Sequence, residues 1–111
     1  MDKIKISCLD NSEFAEFDAI NKGYRGDIYV KILDKFYNLN IYDIIRLQQD
    51  FELELKDYGM FTPEPNLVIV IEVSNIEIKN IVQHLYIQKY FENIKSVDME
   101  KIGQLKLKPL P

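Results

Sequence analysis

The stretch from Phe36 to Val73 constrains the fold more than any other part of the chain. Tyr37, Leu39 and Ile41 alternate with Asn38 and Asn40, the period of a strand with one buried face. Asp43 follows as a helix N-cap, its carboxylate placed to accept the free amide hydrogens of the first turn. Ile44, Leu47, Phe51, Leu55 and Tyr58 then recur at spacings of three and four, which predicts one apolar stripe facing a core. Gly59 suits the left-handed residue that ends such a helix, and Pro63 and Pro65 stiffen the Met60–Asn66 loop. Leu67 to Val73 is β-branched and almost continuously apolar, the pattern of a strand covered on both faces. A strand–helix–strand crossover is nearly always right-handed, so strands 36–42 and 67–73 should lie parallel in a mixed sheet.

The flanking segments extend this frame. Lys3-Ile4-Lys5-Ile6-Ser7-Cys8-Leu9 alternates as a half-buried strand, and Ile28, Val30 and Ile32 alternate likewise. The short Leu33–Phe36 connection makes strands 27–33 and 36–42 a hairpin. Residues 10–26 read as a long connection, tethered to the core by Phe14 and Phe17 on short helical turns. Ser74-Asn75-Ile76-Glu77 is a capping box that opens a helix at 75–89, with Ile78, Ile81, Val82 and Leu85 on its buried side. Residues 93–98 and 105–108 are expected as two closing strands, the second kept short by Pro109 and Pro111. The fold class is therefore α+β: a single domain over residues 1–111, in two layers. A mixed β-sheet carries two helices packed on one face, in the order β-β-β-α-β-α-β-β, and the other face is left open.

Charge narrows the function. The net charge is −4, which argues against a nucleic-acid binder that neutralises phosphates. Residues 10–72 hold 13 acidic and 6 basic side chains, and residues 73–111 hold 4 and 6, so the acidic excess lies in the first two-thirds. An uneven anionic surface steers association with a cationic partner. The N-terminus has an acid at the second position and no apolar run, unlike a signal peptide. The longest apolar stretch, Leu67–Ile71, is far short of the ~20 residues that cross a bilayer, so no membrane partner and a cytoplasmic location are expected.

No constellation for chemistry stands out. His84 is the one imidazole and falls on the flank of the second helix with no orienting carboxylate at a fixed spacing. Cys8 points with Ile4 and Ile6 toward the core, where a thiol is inert, and with His84 it makes no metal-ligand spacing. Gly23-Tyr24-Arg25-Gly26 lacks the spacing of a phosphate loop, and Arg25-Gly26-Asp27 spells an adhesion tripeptide only by chance. The expectation is no enzyme, no cofactor and no metal.

The first helix is more informative away from its stripe. Asp50, Glu54 and Asp57 form an acidic ridge, and Leu53 lies nearly opposite Phe51, where a leucine faces water. A small apolar anchor ringed by carboxylates suits docking on a basic protein surface, although a lone exposed leucine is also ordinary. Ile76 and Ile87 point away from the buried stripe of the second helix. Tyr29, Tyr37, Tyr42 and Tyr58 fall in the acidic region, and tyrosine serves interfaces and sheet faces alike.

At the hairpin-to-helix passage, Phe36-Tyr37-Asn38-Leu39-Asn40-Ile41-Tyr42-Asp43-Ile44-Ile45-Arg46-Leu47, the chain resembles small bacterial immunity proteins of contact-dependent growth inhibition and other polymorphic toxin systems. The likeness covers most of the chain in outline: hairpin, acid-capped helix, proline loop, apolar strand and second helix. It implies a cytosolic protein that binds one cognate toxin domain and occludes it. Such toxins are frequently nucleases with basic channels, which an acidic inhibitor complements. The family's toxin-facing surface varies with each toxin, so no binding residue transfers from it. The contacts expected from this chain's own residues are Asp50, Leu53, Glu54 and Asp57, with Tyr42 and Glu64 at the edge. Two other readings stand beside this one. One is a small ligand-binding or regulatory module with a pocket near Met60–Asn66. The other is a structural domain that pairs as a homodimer through the uncovered sheet face.

Overall fold

The computed structural model describes residues 4–111, and the elements run β1 (Ile4–Cys8), α1 (Glu13–Lys22), β2 (Tyr24–Ile32), β3 (Lys35–Tyr42), α2 (Ile44–Tyr58), β4 (Leu67–Ile69), α3 (Asn75–Ile87), a 3₁₀ turn (Tyr90–Glu92), α4 (Met99–Gly103) and β5 (Lys108–Pro109). Five strands form one mixed sheet in the order β4-β3-β2-β1-β5. The hairpin is present, with Leu33 and Asp34 as its two-residue turn and Leu33 in the left-handed region at φ 57°. As the crossover requires, β3 and β4 are parallel, pairing Asn40 with Leu67 and Tyr42 with Ile69. The architecture is α+β with a mixed sheet, but the element order and helix count differ from those expected.

Residues 13–22 are a true helix rather than a connection. The Ser12 side chain accepts from the Ala15 amide, Glu13 and Glu16 sit in the first turn, and Gly23 closes the helix at φ 72°. At Gly23 an added Cβ would stand 2.5 Å from Asp43 Oδ1, so the position is closed to side chains by space as well as by conformation. Ala19 is the α1 residue that enters the core, whereas Phe14 and Phe17 are exposed and tether nothing.

No strand forms at 93–98. Lys89 adopts φ 61° after α3, the chain tightens into the 3₁₀ turn, and only the Val97 amide reaches the sheet, donating to Phe36 O. Asp98 then caps α4 by accepting from the Glu100 amide. The last strand is confined to Lys108–Pro109 and pairs with Ser7 and Cys8. Lys3, expected at the start of β1, lies outside the described residues, as does the N-terminal segment 1–3.

One face of the sheet carries Ile28, Val30, Tyr37, Leu39 and Ile41, which pack with Val68, Val70, Val73, Ile78, Val82, Phe91 and Leu110 into a single core. The α3 helix seals this face, with Ile78 and Val82 fully buried and Ile81 and Leu85 partly so. Half of its expected capping box forms. Ser74 Oγ accepts from the Glu77 amide, but the Ser74 amide donates to Glu72 O and the Asn75 amide donates to Glu16 Oε2. A residue of α1 thus completes the cap of α3 and ties the two helices together.

The second face is covered in part. Tyr29, Asn40 and Tyr42, which alternate with the core residues of β2 and β3, are all buried. Asn40 Nδ2 donates to Pro65 O and Asn66 Nδ2 donates to Asn38 O, so the loop after α2 closes over this side. Toward β1 the same face is less covered, with Lys5 exposed and Ser7 and Lys31 half-buried.

Candidate partner-binding surface

A row of side chains crosses three strands on the second face: Tyr24 is paired with Tyr42, and Tyr42 with Ile69. The two tyrosine rings lie 4.8 Å apart, and the Tyr24 hydroxyl donates to Asn40 Oδ1. Above them Arg46 stacks its guanidinium 5.5 Å from the Tyr24 ring centre, donates to Lys22 O and holds Asp50 in an ion pair at 3.1 Å. These bonds anchor the first turns of α2, together with Asp43, whose Oδ1 accepts from the Arg46 amide.

Beyond that anchor the helix is covered along one edge only. No residue of α2 is buried. The stripe expected to enter the core is open instead: Ile44 is 55% exposed, Phe51 46%, Leu55 40% and Tyr58 75%. Phe51 finds one aromatic neighbour, Phe61 of the return loop, with ring centres 5.4 Å apart. Ile45, Met60, Ile69 and Ile71 add further exposed apolar surface. The strand expected over 67–73 forms only at Leu67–Ile69, and the segment is covered on one face only: Val68 and Val70 are buried while Ile69 and Ile71 are exposed.

The reason lies in how α2 is rolled about its axis. Its half-buried residues are Arg46, Leu47, Asp50 and Glu54, so the side turned toward the protein is the edge between the stripe and the acidic ridge. Arg46 selects this roll, because its bond to Asp50 and its stacking on Tyr24 point that edge at the sheet. The ridge is thereby divided. Asp57 is exposed, Glu54 half-buried, and Asp50 neutralised by Arg46. Leu53 projects into solvent at 58% exposure, as its place opposite Phe51 requires.

Tyr42, expected at the docking edge, is only 7% exposed and offers a partner almost no area. Burial, reinforced by Tyr24, Asp50 and Glu64, pushes its hydroxyl up to about 12, with Arg46 opposing. Burial and then Glu64 raise Tyr24 in the same direction. Glu64, exposed in the return loop, therefore stands close enough to act on both phenols. The expected contacts do not converge: Leu53, Asp57 and Glu64 are open, and Tyr42 lies beneath the surface.

A buried polar cluster emerges where the sequence offered a chance tripeptide. Arg25 donates through Nε to Asp27 Oδ1 at 2.8 Å, through Nη1 to Asn75 Oδ1 at 3.1 Å and through Nη2 to Asp10 O at 2.6 Å. Asp27 Oδ2 in turn accepts from the Leu9 and Asp10 amides. This cluster joins β2, the β1–α1 connection and the start of α3. Every guanidinium nitrogen is satisfied within the protein, so the arrangement is structural. Cys8, fully buried nearby, has its thiol pushed up by desolvation. His84 is exposed. Among the described residues no three His, Cys, Asp or Glu side chains cluster as a metal site, and no helix is long and apolar enough to cross a membrane.

A cleft lies away from the Met60–Asn66 loop. It measures about 530 Å³ and opens between the β2–β3 turn and the end of α3, lined by Leu33, Lys35, Tyr37, Tyr86, Lys89 and Phe91 among others. Two residues of its lining, Leu33 and Lys89, are in the left-handed region. Compared with the models of known protein families, with curated proteins and with solved structures, the chain matches none of them.

Proposed function

We propose that this chain is a toxin-neutralising protein of the immunity type, acting by association and occlusion. It binds a basic toxin domain and makes or breaks no bond itself. The observation that carries this reading is the α2 arm: exposed apolar side chains, flanked by Asp57 and Glu64, on the acidic part of an acidic chain. Long-range attraction raises the rate of encounter, and the desolvated apolar centre sets the lifetime of the complex. Leu53, Glu54 and Asp57 are the contacts it assigns to the helix, with Glu64 at the rim. Asp50 acts by orienting Arg46, and Tyr42 supports the arm from below.

The test is co-expression with the toxin domain that this reading expects to be encoded beside this chain. Rescue of growth, together with a stoichiometric complex, is the expected result. No rescue and no complex would end the reading.

The cleft beside the hairpin turn favours a second reading, a small ligand-binding module. Its volume falls within the ~300–1,000 Å³ usual for ligand sites, and aromatic and charged groups share its lining. A thermal-shift screen separates the two, since a ligand of that cleft stabilises the chain in the absence of any protein partner.

A further inference from the structure

We infer that α2 is also the contact through which two copies of this chain pair, antiparallel, about a two-fold axis passing through Phe51. The stripe Ile44, Leu47, Phe51, Leu55, Tyr58 has spacings of three, four, four and three, which read the same in both directions. Phe51 is the middle residue of the 15-residue helix. A two-fold rotation therefore brings Ile44 against the partner's Tyr58, Leu47 against the partner's Leu55, and Phe51 against its own copy. Self-complementarity of this kind is what a closed, symmetric dimer requires of its patch.

The protein's own body leaves this helix in need of a cover. A helix of this length is marginal in water without tertiary burial, and no residue of α2 is buried. At the observed exposures the stripe offers on the order of 500 Å² per chain, so about 1,000 Å² for a pair, at the lower limit for a specific interface. The pairing is accordingly weak and depends on concentration. It uses the helix and not the sheet. It draws on the same exposed arm as the toxin reading but does not rest on it, because Leu53 lies on the opposite side of α2 and stays free in the dimer, and Glu54 alone borders both contacts.

The rims of the stripe fix the sign of the salt effect. Arg46 is occupied by Asp50 and Lys56 stands one turn from Glu52, so four acidic and two basic residues leave α2 with a net charge of −2. In an antiparallel pair like flanks meet, so two helices of net negative charge face each other, and added salt tightens the dimer. Docking on a cationic partner has the opposite dependence.

The experiment is sedimentation equilibrium of the full chain over a wide concentration range, at low and high salt. A monomer–dimer equilibrium that shifts toward dimer with salt is expected. Phe51→Asp should weaken pairing by at least about tenfold by placing two carboxylates on the axis. Tyr58→Asp, at a more exposed position, repeats the test with less risk to the fold, which circular dichroism monitors. For a direct reading, Phe51→Cys should cross-link to its copy under mild oxidation, since facing helices bring such residues within disulfide reach. Leu53→Cys should not cross-link, and neither should the buried Cys8 of the unaltered chain. A chain monomeric at every concentration overturns the inference and assigns the stripe to a different protein. Equal cross-linking of Phe51→Cys and Leu53→Cys overturns it as well.

Discussion

Among the described residues Arg25 is the one charged side chain that is buried, and its carboxylate partner Asp27 is three-quarters buried with it. Removing one partner of a buried pair leaves a charge without compensation, which costs about 3–5 kcal/mol. Asp27→Ala should therefore destabilise the fold by that amount in urea unfolding, and should also loosen Leu9 and Asp10, whose amides it accepts. Asp18→Ala removes an exposed pair with Lys22 and should cost about 0–1 kcal/mol, the measure of a surface ion pair. Tyr42 makes a second prediction at this scale. Its folded pKa of about 12 lies above the ordinary 10.0, so the folded state holds the phenol proton after the unfolded chain has lost it. Stability from this group is fully present below about pH 10 and falls as pH rises from 10 toward 12. Chemical denaturation across that window should show the decline, and Tyr42→Phe should make it shallower. An unchanged slope in the variant would remove Tyr42 as its source, leaving Tyr24, Tyr29 and Tyr90, which burial raises in the same direction.

At the scale of the element, α2 and α3 are both capped, both amphipathic, and energetically unlike. Phe51→Ala should cost under about 1.5 kcal/mol, since the ring is already half in water, whereas Ile78→Ala in the core should cost about 2–5 kcal/mol. Hydrogen exchange reads the same contrast: amides at the centre of α2 should exchange well before those of α3, β2 and β3. The contrast also explains what the sequence could reveal about this helix. Spacing of Ile44, Leu47, Phe51, Leu55 and Tyr58 defines a stripe and hence a helix, but periodicity carries no address, and an apolar stripe that meets a partner has the same pattern as one that meets a core. The deciding interactions were the Arg46 contacts with Tyr24 and Lys22 O, which link residues 22–24 apart in sequence and have no local signature. Elsewhere local chemistry sufficed. Asp43 and Gly59 bound α2, Ser74 opens α3, and the alternation in β2 and β3 set both the hairpin and the inner face. In α1 Ser12 and Gly23 act as caps, but without an apolar stripe the segment read as a connection, and Phe14 and Phe17, expected to tether it to the core, are exposed. The segment after α3 failed for the converse reason: apolar residues at Ile94 and Val97 resemble a strand, while Lys89 in the left-handed region turns the chain away from the sheet.

For the whole molecule the question is which charges a partner meets first. The carboxylates outnumber the cations in residues 10–72, and the cations prevail in residues 73–111, so the α2 arm projects from the acidic part of the chain. The long axis of 44 Å against 30 and 29 Å gives that charge an elongated body from which to act. Reversing Glu54 and Asp57 together to lysine should slow association with a cationic toxin domain on the order of tenfold and flatten its dependence on ionic strength. Asp50 is best left in place in this variant, because reversing it also sets a lysine against Arg46 and frees the anchor of the helix, which confounds rate with stability. Stopped-flow association at several salt concentrations measures the effect. A variant with the rate and salt slope of the unaltered chain would take this side of α2 out of the encounter. The same pair of charges bears on self-association with the opposite sign. Glu54 borders the stripe, so its removal relieves repulsion between two copies while weakening attraction to a basic surface. A single substitution, Glu54→Gln, should therefore tighten the dimer and loosen the complex, and no uniform loss of folding can move the two readouts in opposite directions.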